Sequence, residues 1–324
     1  MRNTTLKTLF LAIFLCALFF IISSFYIDHS KKSIQVAVTF DDLPFIDRST
    51  SNKKIVRNES LALTNKIMAI LKKHKIDSTW GFMIGKNVDI QPGSVAALKA
   101  WVLNGNKLGN HTYSHPDFAQ LSAENYINDI QKNEGILQQV MGDKNYKVFR
   151  YPYLSYGETE KKYTQVRNFL DGNGYQIAEV TLDFFDYEWI PAYQRCLQKK
   201  DQASIFWLRK NYLEQSLYSI DIAHELSILL FKRDIKYVLL LHFNDIQADV
   251  LDQLLTQYEN RGVKFISLES ALSDPVYKID PKIYRVRSYT LLNRIRLSRN
   301  LPNPANVNRL YATLPEEELN AICS

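Results

Sequence analysis

Several common signatures are missing from this chain of 324 residues. It has only three cysteines and no CxxC pair, which excludes a cysteine-rich metal knuckle. It contains no internal repeat, and no stripe of basic residues interleaved with stacking aromatics, so a nucleic-acid partner is not expected. Because 46% of the residues are hydrophobic and only 23% are charged, the composition argues against disorder and allows one large domain or two ordinary ones.

The charge that the chain does carry is unevenly placed. The net charge is +6, and residues 276–324 hold eight Lys and Arg against four Asp and Glu, so this segment accounts for +4. Pro275 and Pro281 mark the predicted end of the preceding domain. A basic tail could contact phosphates, an anionic polymer or a membrane surface. The simpler expectation, which we adopt, is a solvated C-terminal extension.

One long apolar run stands near the N-terminus. Arg2 and Lys7 precede residues 8–27, which carry no charge, and a helix of about 20 residues spans the roughly 30 Å hydrocarbon core of a bilayer. No A-x-A-like cleavage site follows. We therefore expect residues 1–32 to be a cytoplasmic N-terminus and an uncleaved signal anchor, with the rest exported to the periplasm or cell surface. Secretion after signal cleavage is the alternative.

Of the three cysteines, Cys16 lies in the apolar run. Cys196 and Cys323 could pair in an oxidising compartment, although their spacing does not require it.

After the apolar run, predicted strands and helices alternate. The predicted strands lie at 34–40, 77–85, 104–111, 147–153, 176–185, 236–243 and 263–268. The predicted helices lie at 58–73, 94–103, 123–141 with Ser122 as its N-cap, 158–170, 190–232 and 249–259. Alternation argues for a parallel sheet, and apolar runs without polar alternation argue for strands buried on both faces. The fold class is therefore α/β, a distorted (β/α) barrel over residues 33–275, preceded by one transmembrane helix.

Polar residues interrupt this pattern where predicted strands end. Asp41 and Asp42 end the first strand, and His111 and His115 end the third. Later strand ends carry Arg150, Asp183, Asp186 and His242. The carboxyl ends of parallel strands converge on one mouth of a barrel, so five distant segments are expected to meet there.

This set of side chains has a coherent chemical interpretation. Two histidines four residues apart, together with a carboxylate, can bind a divalent metal, most readily zinc, with cobalt, nickel or iron as alternatives. A second carboxylate can accept a proton from water, an arginine can hold that carboxylate ionised, and a further histidine can protonate a leaving group. The inventory suits hydrolysis of an amide or an ester. Each element alone is a weak signal, and only their joint placement at strand ends carries the hypothesis.

Five motifs follow one another along the chain: TFDD (39–42), HTYSH (111–115), RYPY (150–153), DFFDYEW (183–189) and LLLH (239–242). This ordered set resembles the NodB-type polysaccharide deacetylases, carbohydrate esterase family four. The resemblance covers roughly residues 34–275; the first three motifs are specific as a set, and the last two are looser. It implies a distorted (β/α) barrel with an open groove for a sugar chain.

The resemblance also implies a role for each matching residue in the first three motifs. Asp42, His111 and His115 would bind the metal. Asp41 would be the general base, and Arg150 would hold it.

The remaining matches imply the other half of the chemistry. The backbone N–H of Tyr153 would help to stabilise the oxyanion, His242 would be the general acid, and Asp186 would tune it. The tryptophan that the family pattern expects after Asp186 is replaced by Tyr187, with Trp189 two residues later. Either aromatic could wall the groove, and we take both as groove residues.

Two further features depart from a minimal member or support the site. Residues 190–235 form a longer and more helical stretch than such a member needs. We expect an outer packing layer there, with a cap over the groove as the alternative.

Thr112 is expected to support the turn between the two histidines or the surroundings of the metal.

The expected function is removal of acetyl groups from N-acetylated sugars of an envelope or extracellular polysaccharide. The chain's other expected contact is the membrane, through the N-terminal helix. An O-acetyl esterase or another amide hydrolase of the same family is the first alternative. A non-catalytic saccharide-binding protein is the second. Retention of Asp41, Arg150 and His242 argues against the second, because binding alone needs neither a base nor an acid.

Overall fold

The computed structural model describes residues 33–46, 53–142, 144–304 and 315–324. Residues 34–324 belong to one compact unit. The predicted membrane anchor at residues 8–27 lies outside the described residues. Within the described ranges, no helix combines the length and the apolar character needed to cross a bilayer.

Within these described ranges, seven parallel strands form the sheet. They are β1 (Gln35–Leu43), β2 (Trp80–Met83), β3 (Lys107–Asn110), β4 (Val148–Phe149), β5 (Gln176–Ile177), β6 (Lys236–His242) and β7 (Lys264–Phe265). Their order is β5-β4-β3-β2-β1-β6, and β7 pairs with the first residues of β1. All predicted strands are present, but several are shorter than predicted. Because the strands run parallel, their carboxyl ends share one edge.

The centre of the sheet is β1, and its sequence explains its position. Val36, Val38 and Phe40 are buried on one face of the strand, and Ala37 and Thr39 are buried on the other. The strand also has neighbours along both edges. The sheet also curls, because the chain beyond β5 reaches β6, where Leu182 forms a parallel bridge with Leu239. The fold is therefore a curled parallel half-barrel covered by helices, in agreement with the predicted distorted (β/α) class.

Most of the described helices lie in the connections between strands, and the last three follow β7. They are α1 (Lys53–Lys73), α2 (Gly85–Ile90), α3 (Val95–Leu103), α4 (Ala123–Met141), α5 (Glu160–Gly172), α6 (Trp189–Lys199), α7 (Gln202–Phe231), α8 (Asp245–Asn260), α9 (Leu268–Leu272), α10 (Leu291–Ser298) and α11 (Glu316–Ala321). The predicted cap of α4 is confirmed, since the Ser122 side chain accepts a hydrogen bond from the N–H of Asn125.

The predicted helical stretch across 190–232 is present and consists of two helices. Lys200 has a left-handed backbone with φ of 55°, which ends α6, and the Asp201 side chain then caps α7 by accepting from the N–H of Ser204. The longer helix α7 buries Leu208 and Tyr212 against the core, so it is the packing layer that we expected. The start of α6, in contrast, faces the groove described below.

The segment beyond residue 275 does not behave as a solvated extension where it is described. Leu291, Leu292 and Ile295 of α10 are buried in the main core, and the N–H of Leu291 donates to Val180 O at 2.7 Å. Arg294 is fully buried and pairs with Glu179 at 2.6 Å. The expectation of a solvated segment is wrong for α10, because the apolar residues that alternate with basic ones along this helix pack onto the domain.

A disulfide attaches the end of the chain to α6. Cys196 and Cys323 are bonded, with their Cα atoms 5.2 Å apart. The pairing that the sequence left open is therefore present. It joins positions separated by 127 residues and holds the C-terminal residues beside α6.

Candidate active site

Three predicted metal ligands come together at the carboxyl edge of the sheet. Asp42 lies at the end of β1, and His111 and His115 lie in the loop after β3. His111 Nε2 lies 3.6 Å and His115 Nε2 lies 3.4 Å from Asp42 Oδ1. One ligand atom from each of the three residues falls within 4.8 Å of the others.

These separations fit a divalent ion. Ligand atoms about 2.0–2.1 Å from a tetrahedral zinc ion lie roughly 3.4 Å from one another. The orientation of His111 also fits, because its Nδ1 donates to the carbonyl oxygen of Arg150 at 2.8 Å and thereby leaves Nε2 as the metal-facing atom. The donor set of two imidazoles and one carboxylate could equally hold cobalt, nickel or iron.

Part of the candidate metal site has an unusual backbone conformation. Asp42, Thr112 and His115 have φ values of 69°, 66° and 55°, in the left-handed region that non-glycine residues rarely adopt. Such conformations persist where the surroundings hold them, and they cluster at functional sites. Thr112 helps to hold this turn, since its hydroxyl accepts from the N–H of His115 at 3.1 Å. This is the turn-supporting role predicted for Thr112.

The second carboxylate of the pair, Asp41, is nearly fully buried beside an arginine. Arg150 Nη1 donates to Asp41 Oδ1 at 3.2 Å. The rest of the guanidinium is held by Ala178 O at 2.6 Å from Nε and by Thr39 Oγ1 at 3.1 Å from Nη2. The two adjacent aspartates differ in their partners. Asp41 is hydrogen-bonded to Arg150 and also lies 3.6 Å from His111 Nε2, whereas Asp42 lies near both histidines.

Burial shifts the acid–base properties of this half of the site. It raises the pKa of Asp41 to about 7, against the opposing attraction of Arg150. Burial, reinforced by the neighbouring His115, holds the pKa of His111 well below its usual value, and burial also lowers the pKa of His115. Both imidazoles are therefore neutral near pH 7, as metal ligands must be.

The opposite half of the site contains a histidine paired with a carboxylate. His242, at the end of β6, has Nδ1 2.6 Å from Asp186 Oδ1, and its backbone N–H donates to Asp186 Oδ2 at 2.7 Å. Burial alone would lower the pKa of His242, but the charge and hydrogen bond of Asp186 outweigh burial and raise the pKa to about 10. His242 is thus protonated at neutral pH, with Nε2 as the ring nitrogen not used by Asp186.

Both halves line one groove with a cavity volume of about 1060 Å³. Tyr153, with φ of 56°, packs its ring 4.5 Å from the ring of His115. Tyr187 stands on the other side, its ring 5.6 Å from that of His242, with 36% of its surface exposed. Tyr187 is therefore a groove residue, as predicted.

Trp189 is not a groove residue, and this part of the prediction is wrong. Only 1% of its surface is exposed, and its ring contacts Trp207 and Tyr212 of α7. The reason is that Trp189 opens α6, whose inner face packs on α7. Ile190 and Gln194, on the other face of the same helix, line the groove.

The sequence analysis missed several residues that line the groove, and two of them come from an unexpected part of the chain. Arg287 and Ser288 come from the C-terminal segment and face the groove beside Tyr153. The sequence signal was the excess of basic residues beyond position 275, but nothing in that excess indicated which residue would reach the site.

Comparison with known proteins agrees with this arrangement. Residues 28–169 match the family model described as polysaccharide deacetylase. The matched residues contain the first three of the five motifs, so the resemblance to the polysaccharide deacetylases is confirmed over this part of the chain.

Individual relatives extend this result. Peptidoglycan-N-acetylglucosamine deacetylase of Bacillus cereus is 32% identical over 49% of this chain and 48% of its own. Chitin deacetylase of Colletotrichum lindemuthianum is 30% identical over 47% of this chain and 53% of its own. The chain thus spans about half the length of these curated relatives. A crystal structure of a peptidoglycan N-acetylglucosamine deacetylase aligns with a TM-score of 0.50 at 24% identity, covering 74% of this chain and 88% of the other, which supports the shared fold.

Proposed function

We propose that this chain is a metal-dependent hydrolase that removes acetyl groups from N-acetylated sugars of an envelope or extracellular polysaccharide. The observation that carries the proposal is that a metal-ligand set, a buried carboxylate of raised pKa and a protonated histidine face one groove. The relatives named peptidoglycan and chitin deacetylases support this class of substrate.

Each residue then has a step to perform. Asp42, His111 and His115 would hold the ion, which supplies a positive charge that acidifies water and polarises the acetyl carbonyl. Asp41 accepts a proton from the attacking water as the water oxygen bonds to the acetyl carbon, and a pKa near neutrality suits that task. Arg150 keeps the carboxylate oriented toward the groove.

The acid half completes the reaction. His242 donates its Nε2 proton to the sugar nitrogen as the carbon–nitrogen bond breaks, which releases acetate and leaves an amine on the sugar. Asp186 holds the imidazole by Nδ1 and stabilises its protonated form. The backbone N–H of Tyr153 would donate to the negative oxygen that develops on the acetyl carbon.

The test is acetate release by the purified chain without residues 1–32. The substrates are N-acetylglucosamine oligomers, isolated peptidoglycan and acetylxylan, each assayed with the chelated protein and with added zinc, cobalt, nickel or iron. Metal-dependent release from the first two, at rates well above acetylxylan, supports the proposal. Preferential release from acetylxylan would favour the O-acetyl esterase alternative. Tight oligomer binding without any acetate would favour the saccharide-binding alternative.

We also propose that the N-terminal segment anchors the chain in a membrane with the groove on the exported side. The uncharged run at 8–27 and the disulfide between Cys196 and Cys323 support this, because disulfides persist in oxidising compartments. Fractionation of cells that express the full chain, followed by protease treatment of intact spheroplasts, tests it. Recovery of full-length protein in the soluble cytoplasmic fraction would contradict it.

A further inference from the structure

The groove has positive charges at its rim that the proposed reaction does not use. Among the described residues that line it, the carboxylates are Asp41, Asp42 and Asp183, while the lysine and arginine are Lys86 and Arg287. The first two carboxylates belong to the reacting centre. Away from that centre, the charges that a bound sugar chain would meet are therefore mainly cationic.

Arg287 is the better placed of the two cations. Its guanidinium carbon lies 4.3 Å from the centre of the Tyr153 ring, and that ring packs 4.5 Å from the ring of His115. One aromatic ring thus separates the guanidinium from a metal ligand. The Arg287 side chain is still 57% exposed, so it remains accessible from the groove.

The surrounding fold sets the position of Arg287. The N–H of the next residue, Ser288, donates to Tyr153 O at 2.9 Å, and the Ser288 side chain hydrogen-bonds that of Tyr187. A few residues later α10 is buried in the core. Arg287 therefore lies in a segment that is held by contacts with Tyr153 and Tyr187 on the two sides of the groove, and its position is more restricted than that of an ordinary surface arginine.

One contact competes for the guanidinium, but only weakly. Arg287 Nη1 lies 3.5 Å from Asp117 Oδ2, which is long for a charge-assisted hydrogen bond. The other oxygen of Asp117 already accepts from Ser155 Oγ at 2.6 Å and from the N–H of Ala119 at 3.0 Å. The Asp117 contact orients one edge of a group with five N–H donors and leaves other donors available.

We propose that Arg287 binds an anionic group carried by the sugar chain next to the acetylated residue, so that the enzyme prefers acidic over neutral acetylated glycans. A guanidinium packed over an aromatic ring is restricted in position, and its N–H fork suits a carboxylate or a phosphate. Arg287 is on this view a specificity-determining residue for the reaction proposed above, and the inference rests on that proposed function.

The experiment compares kcat/KM for acetate release from three sets of oligomers of equal length. One set is neutral N-acetylglucosamine, one alternates N-acetylglucosamine with a carboxylate-bearing sugar, and one carries phosphate groups. The variant is Arg287→Gln. The matched control is Arg285→Gln, which removes the same charge from an exposed residue of the same segment that does not line the groove. Binding of each oligomer is measured in parallel by calorimetry, independently of turnover.

We expect the unmodified chain to prefer one acidic set over the neutral set by about ten-fold. Arg287→Gln should abolish most of that preference, about the effect of losing one charge-assisted hydrogen bond, whereas Arg285→Gln should retain it. The preference should also weaken as salt is raised. The set that shows it identifies carboxylate or phosphate as the ligand.

Equal kcat/KM for acidic and neutral oligomers, or equal loss of preference in both variants, would overturn the inference. If no oligomer releases acetate, the proposed function fails, and the calorimetry then decides the Arg287 inference separately. Tighter binding of an acidic set that depends on Arg287 supports the inference, and binding unaffected by Arg287→Gln rejects it.

Discussion

His111 and His242 face the same groove from opposite sides, are both enclosed by the fold, and have pKa values shifted in opposite directions. The difference lies in what each Nδ1 contacts. His111 donates to a neutral backbone carbonyl, that of Arg150, whereas His242 is paired with the carboxylate of Asp186. Beside a neutral partner, burial determines the direction of the pKa shift, whereas a negatively charged partner outweighs burial and raises the pKa.

One residue type can thus be neutral on one side of a groove and protonated on the other. The group that contacts Nδ1 determines which form is favoured. A ligand must be neutral near pH 7 to bind an ion, and an acid must carry a proton there.

Removing a ligand should have the largest effect. Asp42→Ala deletes the carboxylate that both His111 and His115 approach, so metal content should fall far below one ion per chain and kcat should fall by about 10⁴-fold or more. Elemental analysis and acetate release measure the two quantities. The control is Asp221→Asn, a surface carboxylate paired with Arg261. Full metal content in Asp42→Ala would contradict the ligand assignment.

The neighbouring aspartate should fail in a different way. Asp41→Asn keeps the shape of the side chain but removes the base, so we expect kcat to fall by about 10²–10⁴-fold while the metal is retained. Metal analysis on the same sample separates this variant from Asp42→Ala. Circular dichroism checks that the buried Arg150, left without its charged partner, has not unfolded the domain. Unchanged kcat would reject Asp41 as the base.

A change to the pair formed by His242 and Asp186 should alter the pH dependence of kcat/KM. Asp186→Asn removes the charge that raises the pKa of His242, so that pKa should fall. Because the acid must be protonated, the alkaline limb of kcat/KM should move to lower pH, by about one to three units. The pH profile of acetate release measures the shift, and Asp221→Asn again serves as the control. A limb that stays in place would show that a group other than His242 governs it.

A change outside the groove should alter stability but hardly alter turnover. Cys196→Ser opens the disulfide that attaches the C-terminal end to α6, so the free energy of unfolding should fall by about 2–4 kcal/mol. We expect kcat to stay within about two-fold, since Cys196 is buried in the core rather than in the groove lining. Urea unfolding measures the loss of stability, and acetate release measures kcat. A large loss of kcat without loss of stability would place the disulfide in the catalytic architecture.

Much of this site could be predicted from strand ends. TFDD, HTYSH and LLLH each follow or end a run that becomes a buried parallel strand, so Asp41, His111 and His242 had to approach one another at the carboxyl edge of the sheet. The N-cap at Ser122 was also readable, because capping depends on residues three apart in the chain. Such features follow from local geometry.

Other features could not be read locally. Trp189 and Tyr187 are two residues apart, yet one is buried on α7 and the other walls the groove, because a turn and a helix start between them. The split of the 190–232 helix at Lys200 likewise depended on a single left-handed residue.

Local sequence pattern was thus enough to indicate a parallel α/β fold and the residues at its strand ends, since burial and strand direction follow from short apolar runs. Only the tertiary structure decided which distant residues joined them. It brought Arg287 to Tyr153, and it bonded Cys323 to Cys196, a pairing that the sequence left open. It also fixed the contact between Asp186 and His242, which only the family resemblance had implied. These contacts depend on how separate segments pack, and they set both the charge at the groove rim and the opposite protonation of its histidines.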